Sequence, residues 1–311
     1  MKHLLTLRET GIPDIQYLMD TALAFKEILA RPVKKVPTLR GRAMITLFYE
    51  NSTRTRTSFE MAAKIMSAEA INIAVAQSSV AKGESLKDTL LTLQALKADC
   101  IVMRHPVSGT PQFAAEKLNI PIINAGDGRH EHPTQGLLDM LTIRQYKREL
   151  AGLQVAIVGD IAHSRVARSN IWGLTKMGAK VRLVGPRTLL PPDSDKLPVT
   201  VYDDLRAGLE GVDVVNVLRL QTERQERGLL PSLREYSRLF GVTAASLKAA
   251  KPDVLVLHPG PMNRGIEISA DVADGAYGIR SAIEEQVTNG VAVRMAVLYT
   301  LMGTQGTASP E

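Results

Sequence analysis

The sequence predicts an α/β protein built as two doubly wound parallel-sheet domains. Three observations predict it. Short apolar, β-prone runs alternate with amphipathic helix patterns along almost the whole chain, as crossover-connected parallel strands require. After a long helix pattern opening at Pro133, the strand–helix plan starts again at Leu153. The 311 residues suffice for two domains of ordinary size, each with its own core.

The elements follow in order. Ile15, Leu18, Ala22, Phe25 and Leu29 keep the spacing of one buried helical stripe, which Pro32 ends. Met44–Tyr49 is an apolar strand that runs directly into Asn51-Ser52-Thr53, an N-cap cluster, and a helix through Phe59, Met61, Ala62 and Ala63. Ala70–Val75 is a short strand. Gln77–Ser85 is a polar, glycine-containing loop, and Leu86, Leu90, Leu93 and Leu96 mark the next helix. Strands at Cys100–Met103 and Pro121–Asn124 precede the helix that opens at Pro133 and carries Leu137, Leu138, Leu141 and Ile143 as far as Tyr146.

The second half reads as a strand (Leu153–Asp160), a helix (Arg165–Gly178), a strand (Lys180–Val184), a proline-rich loop (186–198) and a strand (Asp213–Val217). A charged, irregular stretch with helical pieces fills 219–241, and Asp253–Leu257 is the last strand expected. The last helix runs from about Ser281 to Met302, with Ile283, Val287, Val291, Met295 and Leu298 in register. The small polar tail from Gly303 is expected to fray. No internal sequence repeat appears. Residues 1–133 with 288–311 form one expected domain and 134–287 the other, with the active site in the cleft between the carboxyl ends of their sheets.

Composition narrows the function. Apolar residues are 45% and charged residues 23%, and the 38 basic against 32 acidic side chains leave +6. The excess is scattered, without the stripe or tail of a nucleic-acid binder, and suits small anionic ligands. The single cysteine, Cys100, has no partner for an internal disulfide and no metal-ligand spacing around it. No run approaches the ~18 apolar residues of a membrane span, and no signal-peptide core opens the chain. A reduced cytoplasm is the expected location.

The chemistry-bearing residues follow strands. Ser52-Thr53-Arg54-Thr55-Arg56 puts hydroxyls and guanidinium groups at a helix start, where outward N–H groups and the dipole favour an anion. Taken alone, two arginines there are also what a solvated basic face looks like. Arg104, just after a strand, serves an anion or a structural salt bridge equally well. Gly126-Asp127-Gly128 leads to His132-Pro133-Thr134-Gln135 at the opening of the long helix. Val158-Gly159-Asp160 invites a dinucleotide reading but lacks Gly-x-Gly-x-x-Gly, and Ser164-Arg165 offers an anion site instead. Arg219, on another loop, could join Arg165 in clamping the two carboxylates of a dicarboxylic amino acid. His258-Pro259-Gly260-Pro261 would present rigid backbone carbonyls.

These strings, with Lys82-Gly83-Glu84 and Arg219-Leu220-Gln221, resemble the aspartate/ornithine carbamoyltransferase family over nearly the whole chain. The resemblance implies that carbamoyl phosphate binds to Ser52, Thr53, Arg54, Thr55, Arg104, His132, Gln135, Gly260 and Pro261. Arg54, Thr55, Arg104 and His132 would be the catalytic residues. L-Aspartate would be held by Lys82, Arg165, Arg219 and Gln221, a cationic clamp that suits it better than ornithine. Ser78 and Lys82 would reach the neighbouring subunit's site in a homotrimer. The product would be N-carbamoyl-L-aspartate, for pyrimidine biosynthesis. No metal or organic cofactor is implied, and a regulatory chain or dihydroorotase is a candidate partner. The competing readings are a transferase with another acceptor and a non-catalytic anion- or nucleotide-binding module.

Overall fold

The computed structural model describes residues 1–74, 83–221, 229–230 and 232–303. The chain divides into two compact units, residues 1–138 with 288–311, and residues 139–287.

The first unit is built on a four-stranded parallel sheet of β1 (Ala43–Phe48), β2 (Glu69–Ala74), β3 (Cys100–His105) and β4 (Ile122–Asp127), in the order β2-β1-β3-β4. With it go α1 (Ile12–Leu29), α2 (Thr53–Ile65), α3 (Leu86–Ala95), α4 (Thr110–Lys117), the start of α5 (Pro133–Lys147) and most of α10 (Ile283–Leu298). Ile45, Leu47, Ile101, Met103 and Ile122 project from the strands onto Leu90 and Leu93 of α3, Ala114 of α4 and Leu118 just after it, closing one core. Each large side chain of such a core contributes roughly 2–5 kcal/mol when judged by truncation. The N-terminal segment adds to the free side of β4, where Leu4 pairs with Ile123.

The second unit carries six parallel strands: β5 (Gln154–Val158), β6 (Lys180–Val184), β7 (Val199–Tyr202), β8 (Val214–Val217), β9 (Leu255–Leu257) and β10 (Arg280–Ser281). Their order is β10-β9-β8-β5-β6-β7. Its core joins Ala156, Val158, Val215, Val217 and Val256 to Leu209, Tyr236, Phe240 and Val272. Here α6 (Arg165–Lys176), α7 (Leu205–Leu209), α8 (Leu233–Phe240) and α9 (Ala270–Ala273) complete the helices.

Each sheet has one point where the chain reverses its direction of growth. In the first, β1 leads to β2 on one side and the chain then crosses back to β3 on the other. In the second, β5 leads through β6 to β7 before β8 returns to the opposite side of β5. Loops at the carboxyl ends of such strand pairs diverge, and the crevice left between them is where α/β proteins take ligands.

Several expectations change. Asp253–Leu257 is not the last strand, because the two-residue β10 follows; so short a strand has no periodicity to read. Helix α4 went unpredicted between two strands, as did β7 and the five-residue α7 after the proline-rich loop, and β7 is half-exposed at a sheet edge. Val287, expected in the buried register of the last helix, is 59% exposed, while Gln286 and Asn289 are buried. Leu96 lies beyond the last turn of α3 as its C-cap and is 70% exposed. In α1, Met19 and Ile28 join the buried face, and Phe25 instead meets Tyr299 edge-on at 5.6 Å.

Candidate active site

In the first unit the reversal lies between β1 and β3. Phe48 stands opposite Arg104 in register, and the Tyr49 N–H donates to the Arg104 carbonyl at 2.9 Å. The chain leaving β1 is thereby held against the end of β3. It then turns into α2 with Ser52 as the N-cap residue, and the Ser52 side chain makes no capping bond. The expectation of an N-cap cluster holds for position and not for this hydroxyl. In the first turn Thr55 is buried, whereas Thr53 and Arg54 are exposed. Arg56 turns away to lie 3.7 Å from Glu60 one turn on. Phe59, fully buried, anchors the helix, with the Arg294 guanidinium 5.1 Å over its ring.

Arg104 is fixed at three strand ends. Its Nε lies 3.3 Å from Glu50 Oε2 after β1, and its Nη1 donates to the Ala125 carbonyl of β4 at 3.1 Å. This holds the guanidinium between the segment after β1 and β4. His105 packs on Tyr49 with ring centroids 4.6 Å apart, and burial pushes its pKa below the ordinary histidine value.

The loop after β4 is organised by carboxylates. Asp127 accepts from the Gly109 N–H (2.7 Å), Asn124 Nδ2 (2.8 Å) and His130 Nδ1 (3.0 Å). Burial works to raise its pKa, but these donors prevail and hold it below the usual carboxylate range. Glu131, also buried, accepts the N–H groups of Leu7 (2.7 Å) and Arg8 (3.2 Å). Gly128 adopts φ +47°, and a Cβ there would sit 2.4 Å from Ser108 Oγ, so only glycine fits. The loop delivers His132, 4% exposed, to the opening of α5, where its carbonyl accepts from Gln135 N at 2.9 Å and Gly136 N at 3.2 Å. His132 Nδ1 lies 3.5 Å from Thr134 Oγ1. His132 and Gln135 therefore share one turn at the start of α5. Ser52, Thr53, Arg54, Thr55, His132 and Gln135 come after the carboxyl ends of two strands of one sheet, and Arg104, expected just after a strand, is instead the last residue but one of β3 between them. Glu50, Asn124, Asp127 and Glu131 were missed by sequence reasoning, although the polar run Asn124-Ala125-Gly126-Asp127-Gly128 was a signal for two of them.

In the second unit the reversal lies between β5 and β8. Leu218 N donates to the Val158 carbonyl at 2.8 Å, and Gly159 follows with φ +129°. Asp160, fully buried, holds His163 Nδ1 at 2.6 Å and accepts from Gln221 N at 3.4 Å, tying together the loops after the two strands. The Ser164 hydroxyl accepts from Ala167 N (3.1 Å) and so caps α6, a bond that uses an oxygen lone pair and leaves the O–H to donate. Arg165, one residue into that helix, is 3% exposed, while Arg219 and Gln221 are half-buried after β8. His258 to Pro261 follow β9, with a left-handed Gly260 (φ +65°) and a cis Gly260–Pro261 bond. Ser78 and Lys82 lie outside the described residues.

Residues 2–145 match the family model for the aspartate/ornithine carbamoyltransferase carbamoyl-P binding domain, and residues 151–301 match that for its Asp/Orn binding domain. The chain belongs to the aspartate/ornithine carbamoyltransferase family. It is 61% identical over 302 residues to the aspartate carbamoyltransferase catalytic subunit of Desulforamulus reducens, covering 97% of this chain and 96% of that one. The Heliobacterium modesticaldum catalytic subunit is 59% identical, with 99% and 98% covered. Among solved structures, Trypanosoma cruzi aspartate transcarbamoylase in complex with carbamoyl aspartate and phosphate superposes with a TM-score of 0.86 at 31% identity, with 97% and 96% covered. No helix among the described residues is long and apolar enough to cross a membrane.

Proposed function

We propose that this carbamoyltransferase moves the carbamoyl group of carbamoyl phosphate to the α-amine of L-aspartate, giving N-carbamoyl-L-aspartate and phosphate, an early step of pyrimidine biosynthesis. The observation that carries the reading is chemical: each unit places its cationic motif at the carboxyl ends of the two strands that flank its sheet's reversal. Hydroxyls and guanidinium groups (Ser52 to Thr55, with Arg104) occupy the first, and a pair of arginines (Arg165 and Arg219) the second.

Ser52, Thr53, Arg54, Thr55 and the N-terminus of α2 hold the phosphate, with Arg104 beside them. Thr55, Arg104 and His132 direct donors at the carbonyl oxygen, where negative charge grows as the amine attacks. One such donor is commonly worth ~3 kcal/mol of barrier. Gln135 and the carbonyls around Gly260 and Pro261 take the carbamoyl NH2. Arg165, Arg219 and Gln221 orient aspartate by its two carboxylates. The amine nitrogen bonds to the carbonyl carbon, the bond from that carbon to the phosphate oxygen breaks, and the departing phosphate accepts the amine proton. Orientation and charge stabilisation supply the rate, with no side chain acting as general base.

The active unit in this reading is a homotrimer, in which Ser78 and Lys82 complete a neighbouring site. The likeness to relatives named catalytic subunits supports a regulatory partner. A reducing cytoplasm suits the lone, fully buried Cys100, whose thiol burial pushes up.

Phosphate release by the purified protein, given carbamoyl phosphate with L-aspartate and separately with L-ornithine, tests the reading. Turnover with aspartate alone is expected. Turnover with ornithine alone would discard the dicarboxylate clamp, and turnover with neither would leave a binding module.

A further inference from the structure

We propose that Glu267 is a positioning residue for this reaction: acting through His258, its buried carboxylate holds the loop carbonyls around Gly260 and Pro261 where they receive the carbamoyl NH2. The inference rests on the reading of that loop given above and extends it to a residue outside the contact set.

Glu267 and His258 have no accessible side-chain surface. Glu267 Oε1 accepts both His258 Nε2 (3.3 Å) and the main-chain N–H of Asn263. The Gly260 N–H donates to His258 Nδ1 at 2.9 Å, which leaves the ring proton on Nε2, directed at the carboxylate. The imidazole therefore bridges Gly260 and Glu267, and the carboxylate also grips the far side of the same loop at Asn263. The His258 N–H donates to Gln286 Oε1 (2.9 Å), whose Nε2 in turn donates to the buried Asp139 carboxylate (2.7 Å). His258 is thus fixed at its main chain and at both ring nitrogens. The loop leaves β9, passes the left-handed Gly260, and returns at Ile268 to pair with Val242. A backbone with two prolines and a positive φ has few internal hydrogen bonds to define it, so side chains must. Burying a carboxylate is costly unless donors repay it, and both donors to Glu267 belong to this one loop and meet Oε1, while the buried Oε2 has no hydrogen-bond partner among the described residues.

The test compares wild type, Glu267→Ala, Glu267→Gln and His258→Asn by equilibrium binding of carbamoyl phosphate and of inorganic phosphate, each variant being checked for folding by circular dichroism. Phosphate lacks the carbamoyl group, so a defect at the loop that holds the NH2 separates the two ligands, whereas a general loss of the pocket weakens both. Glu267→Ala is expected to weaken carbamoyl phosphate about tenfold with phosphate unchanged. Glu267→Gln, which keeps an oxygen acceptor, recovers most of that loss. His258→Asn keeps an acceptor for Gly260 N–H but cuts the link, so it behaves as Glu267→Ala and carries the test should the alanine variant not fold. Unchanged carbamoyl phosphate binding in both link-breaking variants, or equal weakening of both ligands, overturns the proposal. Wild-type protein that binds carbamoyl phosphate no better than phosphate overturns the site reading beneath it.

Discussion

A Cβ placed on Gly159 would lie 2.9 Å from the carbonyl oxygen of Leu218. The ends of β5 and β8 approach so closely at the reversal of the second sheet that no side chain fits between them. That contact sets the spacing from which the segments leading to Arg165 and Arg219 diverge. Gly159→Ala, with φ +129° to strain as well, is expected to lose about 2 kcal/mol or more of stability. Denaturant titration reads that loss, and the KM for aspartate should rise in the same variant while phosphate inhibition stays as in wild type.

Arg104 is a second point of leverage. Its guanidinium joins Glu50 to the Ala125 carbonyl, so its removal leaves a half-buried carboxylate without this cation. Arg104→Ala is expected to lower kcat by about 10²–10³, the scale of one lost oxyanion donor. Inhibition by inorganic phosphate should weaken in parallel. A kcat within threefold of wild type would remove Arg104 from the oxyanion set.

For the clamp, Arg165→Ala and Arg219→Ala should each raise the KM for aspartate by about 10–100-fold, as expected for loss of a charge-assisted hydrogen bond. Carbamoyl phosphate binding measured alone should barely change. Arg165 is almost wholly buried and Arg219 is not, so Arg165→Lys is expected to be the worse of the two lysine replacements.

The Asp127 carboxyl, held below its ordinary pKa by the donors around it, links loop stability to pH. Its contribution is fully present above the unfolded pKa of about 3.9, and it fades as pH falls through the lower folded value. Asp127→Asn should flatten the acid limb of a stability–pH curve and cost about 1–3 kcal/mol at neutral pH, since Gly109 N–H loses a charged acceptor. An acid limb identical to wild type would exclude Asp127 as its source.

Mixing inactive Lys82→Ala with inactive Arg54→Ala chains should restore part of the activity if sites are shared between subunits. Chains that exchange, as shown by native electrophoresis, and still recover nothing would count against shared sites.

The strand–helix alternation is written in local residue patterns: Met44–Tyr49 has to be a strand, and Asn51-Ser52-Thr53 has to start a helix. The anion motifs were legible for the same reason, since Ser52 to Thr55 occupy one turn and need no distant partner. The positioning residues were not. Glu131 acquires meaning from partners such as Leu7, 124 residues away, and Asp139 from partners such as Gln286, 147 away. A run such as Val287 to Leu298 keeps helical register whichever face is covered, so burial of Gln286 in place of Val287 could not be read locally.

The sequence by itself determined the order of the elements and the chemistry carried after each strand, because propensity, capping and periodicity act within a few residues. The tertiary structure alone decided which strands became neighbours, and so which loops diverge at a reversal. It also decided which buried carboxylates hold those loops. Sheet order is set by burial over the whole chain, a cooperative outcome that no single stretch of residues contains.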